Sequence, residues 1–159
     1  RFIFHRRLKK TLELTLAPEA ATEINGDSSL LEYESDEHWK WRSNIAERIA
    51  QLMDFKRFGV VAVYLIGSAK TGNAGPGSDI DLLVHFRGTP CQQDELIAWL
   101  EGWGLGLAEF NYLKTGYKTS GSLIDCHIVT DDDIRNRTSY AVMIGSAENS
   151  ARLIKSGED

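Results

Sequence analysis

Residues 67–84 read GSAKTGNAGPGSDIDLLV, and the interpretation of the whole chain turns on this stretch. Residues 68–78 are rich in glycine and contain Pro76, the composition of a turning loop, and residues 79–86, DIDLLVHF, resume as a strand. Ahead of the loop, residues 60–67, VVAVYLIG, form a continuous apolar, β-branched run of the kind buried on both faces of a sheet. The central unit is therefore strand, loop, strand, with Asp79 and Asp81 opening the second strand. Side chains alternate along a strand, so both carboxylates are expected on one side, with Cα atoms roughly 6.5 Å apart. Such neighbours repel, and their natural complement is a divalent cation coordinated by several oxygens. An isolated Asp-x-Asp is usually a solvated strand end. Here it follows a glycine-rich loop, with ten residues between it and Gly67-Ser68, which ends a buried strand.

Working outward, Trp41, Ile45, Ile49, Leu52 and Met53 recur at helical spacing, which predicts an amphipathic helix over about 37–58 with Arg42, Glu47, Arg48 and Gln51 away from its apolar face. Thr89, Pro90 and Gln92 have the chemistry of a helix start, leading into Leu96, Trp99, Leu100 and Trp103. Residues 106–113, GLAEFNYL, and 122–129, SLIDCHIV, read as two strands joined by a KTGYKTSG hairpin loop whose Lys114, Tyr117 and Lys118 are most simply solvated. Thr130 followed by Asp131, Asp132 and Asp133 places acids at a helix N-terminus, and a last short helix is expected around 147–155. The fold class expected is α+β, a mixed sheet of about four strands with helices packed on one face.

The chain has 159 residues, 42% hydrophobic and 26% charged, enough for a core without disulfides or structural metals. Cys91 and Cys126 have no zinc-ligand spacing, so reduced thiols and a cytoplasmic location are expected. No run is long and apolar enough to span a membrane, and RFIFHRRLKK does not lead into a signal-peptide core. Residues 1–36 pass from basic to wholly acidic and read as a linker or the remnant of a preceding domain, with TLELTLA (11–17) a short strand candidate; the domain proper is expected over 37–159. A first residue other than Met fits a piece of something longer. A net charge of −5 disfavours a grip on a long nucleic-acid backbone but leaves small nucleotides open.

With these residues in view, GSAKTGNAGPGSDIDLLV resembles the Gly-Ser, spacer, Asp-x-Asp signature of the polymerase-beta-type nucleotidyltransferase superfamily, particularly its minimal members. The similarity extends over roughly residues 37–130. In that family a third carboxylate comes from a later strand, and Asp125 in SLIDCHIV matches it. The resemblance implies metal-dependent transfer of a nucleoside monophosphate from a triphosphate, such as ATP, to an acceptor hydroxyl, with release of pyrophosphate. It implies two Mg²⁺ ions, or Mn²⁺ in their place, held by Asp79, Asp81 and Asp125 as the catalytic carboxylates. It implies nucleotide contacts from Gly67, Ser68, Lys70 and Ser78. The acceptor implied is a protein or a small molecule, or the domain serves a neighbouring one.

One departure is Thr71, which stands where family loops often carry Arg, leaving Lys70 as the local cation. His85 and His127 fall on the carboxylate faces of their strands and could flank the metal; most such histidines are satisfied structural residues. Trp99 and Trp103, at i and i+4, read as helix-to-sheet packing. A Walker A loop is excluded because Asn73-Ala74 replaces its Lys and Ser/Thr, and no G-x-G-x-x-G follows a strand. Two alternatives remain: a non-catalytic nucleotide-sensing or protein-interaction module, and a magnesium-dependent phosphohydrolase, which has no need of Gly67-Ser68.

Overall fold

The computed structural model describes residues 37–146 and 150–157. The linker and short strand expected within residues 1–36 lie outside the described residues. The elements run α1 (His38–Leu52), α2 (Phe55–Phe58), β1 (Val60–Leu65), α3 (Gly67–Thr71), β2 (Ile80–Phe86), α4 (Pro90–Thr115), β3 (Ile124–Val129), α5 (Asp131–Asn136), a 3-10 turn (Ser139–Met143) and β4 (Arg152–Ser156). The four strands form one sheet in the order β3-β2-β1-β4. β1 is antiparallel to both β2 and β4, whereas β2 and β3 run parallel, so the sheet is mixed and the fold is α+β, as the sequence implies.

One face of the sheet meets the long helices. Val63, Leu65, Ile80, Leu82, Val84 and Phe86 pack with Trp41, Ala46 and Ile49 of α1 and with Leu96 and Leu100 of α4. Each large side chain fully withdrawn from water here stabilises the fold by about 1.5–3 kcal/mol. Trp99 and Trp103 border this core, Trp99 against Phe58, in the packing role expected of them. On the opposite face a smaller cluster joins Ile66, Leu83 and Val129 to Ala141, Ala151 and the flanking Ile134 and Met143. α5 opens with a reciprocal capping box between Thr130 and Asp133, so the acids after Thr130 do begin a helix.

Three expectations are corrected. The helix expected over 37–58 is two helices, because Met53 turns extended and the Asp54 carboxylate accepts the Arg57 N–H (2.9 Å), starting a new turn. Residues 106–113 are not a strand: α4 runs unbroken from the Thr89 capping box to Gly116, which stops it in the left-handed conformation. The buried residues Leu96, Leu100, Gly104, Leu107, Ala108 and Asn111 keep helical spacing straight through the glycines. Gly104 is there for contact. A Cβ on it would lie 1.8 Å from Ser122 Oγ, and its carbonyl accepts the Leu123 N–H at 2.9 Å, tying the helix to the segment that enters β3. Helix propensity charges about 1 kcal/mol for such a glycine, and the close approach to β3 offsets it. The fourth strand is instead β4, within the region expected to form a short helix; it pairs with the free edge of β1 from Ala62↔Ser156 to Leu65↔Arg152.

Candidate active site

β2 and β3 are parallel and in register, with Asp81 opposite Asp125 and Leu83 opposite His127. Adjacent strands lie about 4.8 Å apart, so register alone makes the two carboxylates neighbours. Alternation sends Ile80, Leu82 and Val84 into the large core and leaves Asp81, Asp125 and His127 on the other face. Ligand atoms of these three residues lie within 4.8 Å of one another. His127 Nε2 is 3.4 Å from Asp125 Oδ2, and its ring stacks on Tyr140 of the 3-10 turn with centroids 3.8 Å apart.

The charges here are not balanced within the protein. Partial burial pushes the Asp81 carboxyl above its usual range, and the charges of Asp125 and Asp79 push it further, with His127 opposing. Asp79 is raised as well, first by burial and then by Asp125, with Arg42 opposing. Cys126, between Asp125 and His127 in sequence, faces the core; burial pushes its thiol up to about 12, so it stays protonated.

Asp79 is expected to share a side with Asp81, yet it lies outside the Asp81–Asp125–His127 cluster. It is exposed and precedes Ile80, the first paired residue of β2, so the pleat does not direct it. Its loop is held by Arg42, which is buried in α1 rather than on the solvent side expected from its helical position. Arg42 donates from Nε to the Ser78 carbonyl (2.8 Å), from Nη1 to the His38 carbonyl (3.0 Å), and from Nη2 to the Pro76 carbonyl (3.1 Å) and Asn111 Oδ1 (3.0 Å). Asn111, also buried, donates to the carbonyls of Pro76 (3.0 Å) and Tyr117 (3.3 Å). Burial brings Arg42 down to about 10, so it remains charged at neutral pH.

The glycine-rich loop meets the carboxylates through Gly67. It adopts φ +66° at the start of α3, and a Cβ there would lie 2.0 Å from Asp81 Oδ2, so no larger residue fits without displacing the carboxylate. Ser68 and Lys70 follow on α3, both half-buried, and Lys70 interacts within the protein. The Ser78 hydroxyl accepts the Gly75 N–H (2.9 Å) and thereby shapes the loop. Tyr117 packs its ring against Gly77, where an added Cβ would lie 2.7 Å from it, so the KTGYKTSG segment braces the loop rather than tipping a hairpin.

The fold thus brings together Asp81, Asp125 and Gly67, draws His127 in beside them, and sends His85 elsewhere. His85 Nε2 is 2.7 Å from Asp131 Oδ1, at the opposite end of β2, so it does not flank the carboxylates. Arg42, Asn111 and Tyr140 escaped sequence reasoning. The signal available for Arg42 was its place one residue after Trp41 and four before Ala46, inside the apolar stripe of α1.

Residues 46–108 match the family model described as nucleotidyltransferase domain, which takes in β1, the glycine-rich loop and the Asp-x-Asp and ends before Asp125. The match shows likeness to a nucleotidyltransferase domain over about two-fifths of the chain. Among solved structures, a crystal structure from Sulfolobus solfataricus, provisionally designated a nucleotidyltransferase, is similar with 16% identity and a TM-score of 0.42, over 80% of this chain and 93% of that one. No curated protein matches the chain.

Proposed function

We propose that residues 37–159 transfer a nucleoside monophosphate from a nucleoside triphosphate, ATP in the first instance, to an acceptor hydroxyl. The observation that carries this reading is the register pairing of Asp81 with Asp125 beside Gly67, where the Asp81 carboxylate leaves no room for a side chain. The donor set fits a divalent cation: Asp81 and Asp125 offer carboxylate oxygens, His127 a ring nitrogen, and Asp79 a further carboxylate nearby. When bound, Mg²⁺ would offset phosphate charge and lower the pKa of the acceptor hydroxyl.

The chain's own residues supply the rest. Gly67 lets backbone approach the triphosphate, Ser68 offers its N–H and hydroxyl, and Lys70 adds positive charge. Ser78 acts through the loop it closes, and Arg42 with Asn111 fixes that loop so that Asp79 stands ready before the nucleotide arrives. In the reaction the acceptor oxygen bonds to the α-phosphorus, the bond from that phosphorus to the β-phosphate bridge breaks, pyrophosphate leaves, and the hydroxyl proton passes to a carboxylate of the cluster. The acceptor class favoured is a protein or small-molecule hydroxyl, since a net charge of −5 suits neither DNA nor RNA. Cys91 and Cys126 are free thiols, which suits the cytoplasm. Among the described residues, no helix is long and apolar enough to cross a membrane.

The test is thermal unfolding with each of the four nucleoside triphosphates, with Mg²⁺ or chelator, for the wild type and the Asp79→Asn/Asp81→Asn variant. At about 100 times Kd a ligand stabilises by about 2.7 kcal/mol, a shift of several degrees. The expected result is a metal-dependent shift absent from the variant, followed by pyrophosphate release once an acceptor is supplied. Orthophosphate in its place would mean hydrolysis, and no shift with any triphosphate would overturn the reading.

A further inference from the structure

Two histidines share the carboxylate face of the β2–β3 pair, and they are held differently. His85 Nε2 is 2.7 Å from Asp131 Oδ1, and that carboxylate also takes two bonds from Arg87, so the ring is committed to an ion-pair network. His127 Nε2 is 3.4 Å from Asp125 Oδ2, beyond the usual 2.7–3.2 Å of an N–H···O bond. One of its ring nitrogens nonetheless lies within 4.8 Å of both the Asp81 and Asp125 ligand atoms. The ring plane is fixed by Tyr140, stacked at 3.8 Å and 20°, and only 19% of the side chain is exposed. The fold has therefore oriented a nitrogen donor toward two carboxylates without giving it a short hydrogen bond to either.

We propose that His127 is a metal ligand, which makes the Asp81–Asp125 centre a mixed nitrogen–oxygen site that selects a divalent transition ion of the Co²⁺ or Zn²⁺ kind over Mg²⁺. The inference deepens the transferase reading above and rests on its metal centre. Mg²⁺ takes oxygen ligands and parts with water reluctantly, so an imidazole adds little to its binding. Transition ions bind imidazole nitrogen well, and the two carboxylates complete a ligand set of the kind they favour. Tyr140 is a positioning residue: by holding the ring it removes the rotamer entropy that His127 would otherwise lose on binding.

The experiment uses the full chain, without nucleotide or acceptor, and Co²⁺ and Mg²⁺ as the probes. NMR of ring-labelled histidines follows paramagnetic shifts as Co²⁺ is added, and calorimetry gives the affinity of each ion. The His127 ring resonances are expected to show the large contact shifts of direct coordination, and those of His85 only the smaller through-space shifts of a nearby paramagnetic ion. His127→Asn should weaken Co²⁺ about tenfold or more and change Mg²⁺ by about threefold or less. Tyr140→Phe, which keeps the stacked ring, should bind Co²⁺ as the wild type does, and Tyr140→Ala should bind it more weakly. If Co²⁺ binds, needs Asp81 and Asp125, and is indifferent to His127→Asn, the inference is overturned and the transferase reading stands. If Co²⁺ ignores Asp81→Asn and Asp125→Asn as well, the carboxylate centre itself is overturned, and both fall together.

Discussion

The parallel pair β2–β3 carries carboxylates at both ends, and the two ends treat them in opposite ways. Where the strands begin, Asp79 and Asp81 are pushed above the usual carboxylate range by burial and by neighbouring carboxylates. Where they finish, Asp131 is held at about 2 by hydrogen bonds from Arg87 and His85, and Asp133 at about 2 by Thr130 and Thr138. The finishing end is internally satisfied, and its acids serve helix capping and ion pairing. At the starting end burial and neighbouring carboxylates outweigh the opposing charges of His127 and Arg42, so negative charge is held there at a cost. An open cleft of about 670 Å³ lies at the finishing end, lined by residues including Arg87, Thr89, Thr130 and Asp131, away from the raised carboxylates. Electrostatic imbalance, rather than concavity, marks the end where chemistry is expected.

The strongest test of this contrast removes charge from the starting end. Asp125→Asn should lower nucleotidyl transfer by about a thousandfold, read as pyrophosphate release, while far-ultraviolet circular dichroism stays that of the wild type. Next comes the support of that end. Arg42→Met breaks four hydrogen bonds from one buried cation and should cost about 3 kcal/mol of stability by urea titration, with weaker nucleotide binding in whatever remains folded.

A third change should act in the opposite direction. Because the folded protein raises the Asp81 pKa, the group's contribution to stability is present below the unfolded value of 3.8 and is lost as pH rises through the folded one. At neutral pH without metal, Asp81→Asn should therefore raise the unfolding midpoint, by about 2–4 °C after allowance for solvent screening. That gain should shrink on acidification and reverse in sign when a divalent cation is added. The smallest effect belongs to the finishing end. The depressed pKa of Asp131 gives stability present above 3.8 and lost as pH falls through about 2, so Asp131→Asn should lower the midpoint slightly at pH 7, less so in high salt, and not at all in strong acid. Stabilisation by Asp131→Asn and destabilisation by Asp81→Asn would erase the contrast.

The strand–loop–strand unit was legible in the sequence because its signals are local: an apolar run, a glycine-rich break and a second apolar run. Alternation could place Asp81, whereas Asp125 came only from the family resemblance, and their direct pairing became visible only with the β2–β3 register. What could not be read depended on contacts distant in sequence. Gly102, Gly104 and Gly106 look like breakers, and the approach of Ser122 accounts for Gly104, while the buried residues on either side carry the helix past the other two. The strand at residues 152–156 is short and polar on balance, and the open edge of β1 gives it its form. Arg42 looks like a surface residue until the carbonyls of Pro76 and Ser78 supply its partners. His127 could not be told from His85 as a flank for the metal, because Tyr140 approaches it from another element.

The clamp around Arg42 also bears on the order in which the molecule assembles. It joins residues 36 and 69 positions apart in the chain, so the loop before Asp79 cannot settle until α1 and the last turns of α4 have both docked. Contacts of such long range are costly in chain entropy and tend to form late in folding. A partly folded chain would already contain the Gly-Ser and Asp-x-Asp residues, yet Asp79 would still swing on an untethered loop. On the proposed function, competence for the triphosphate would be reserved for molecules that have completed folding, and ligand binding would double as a reporter of the final docking step.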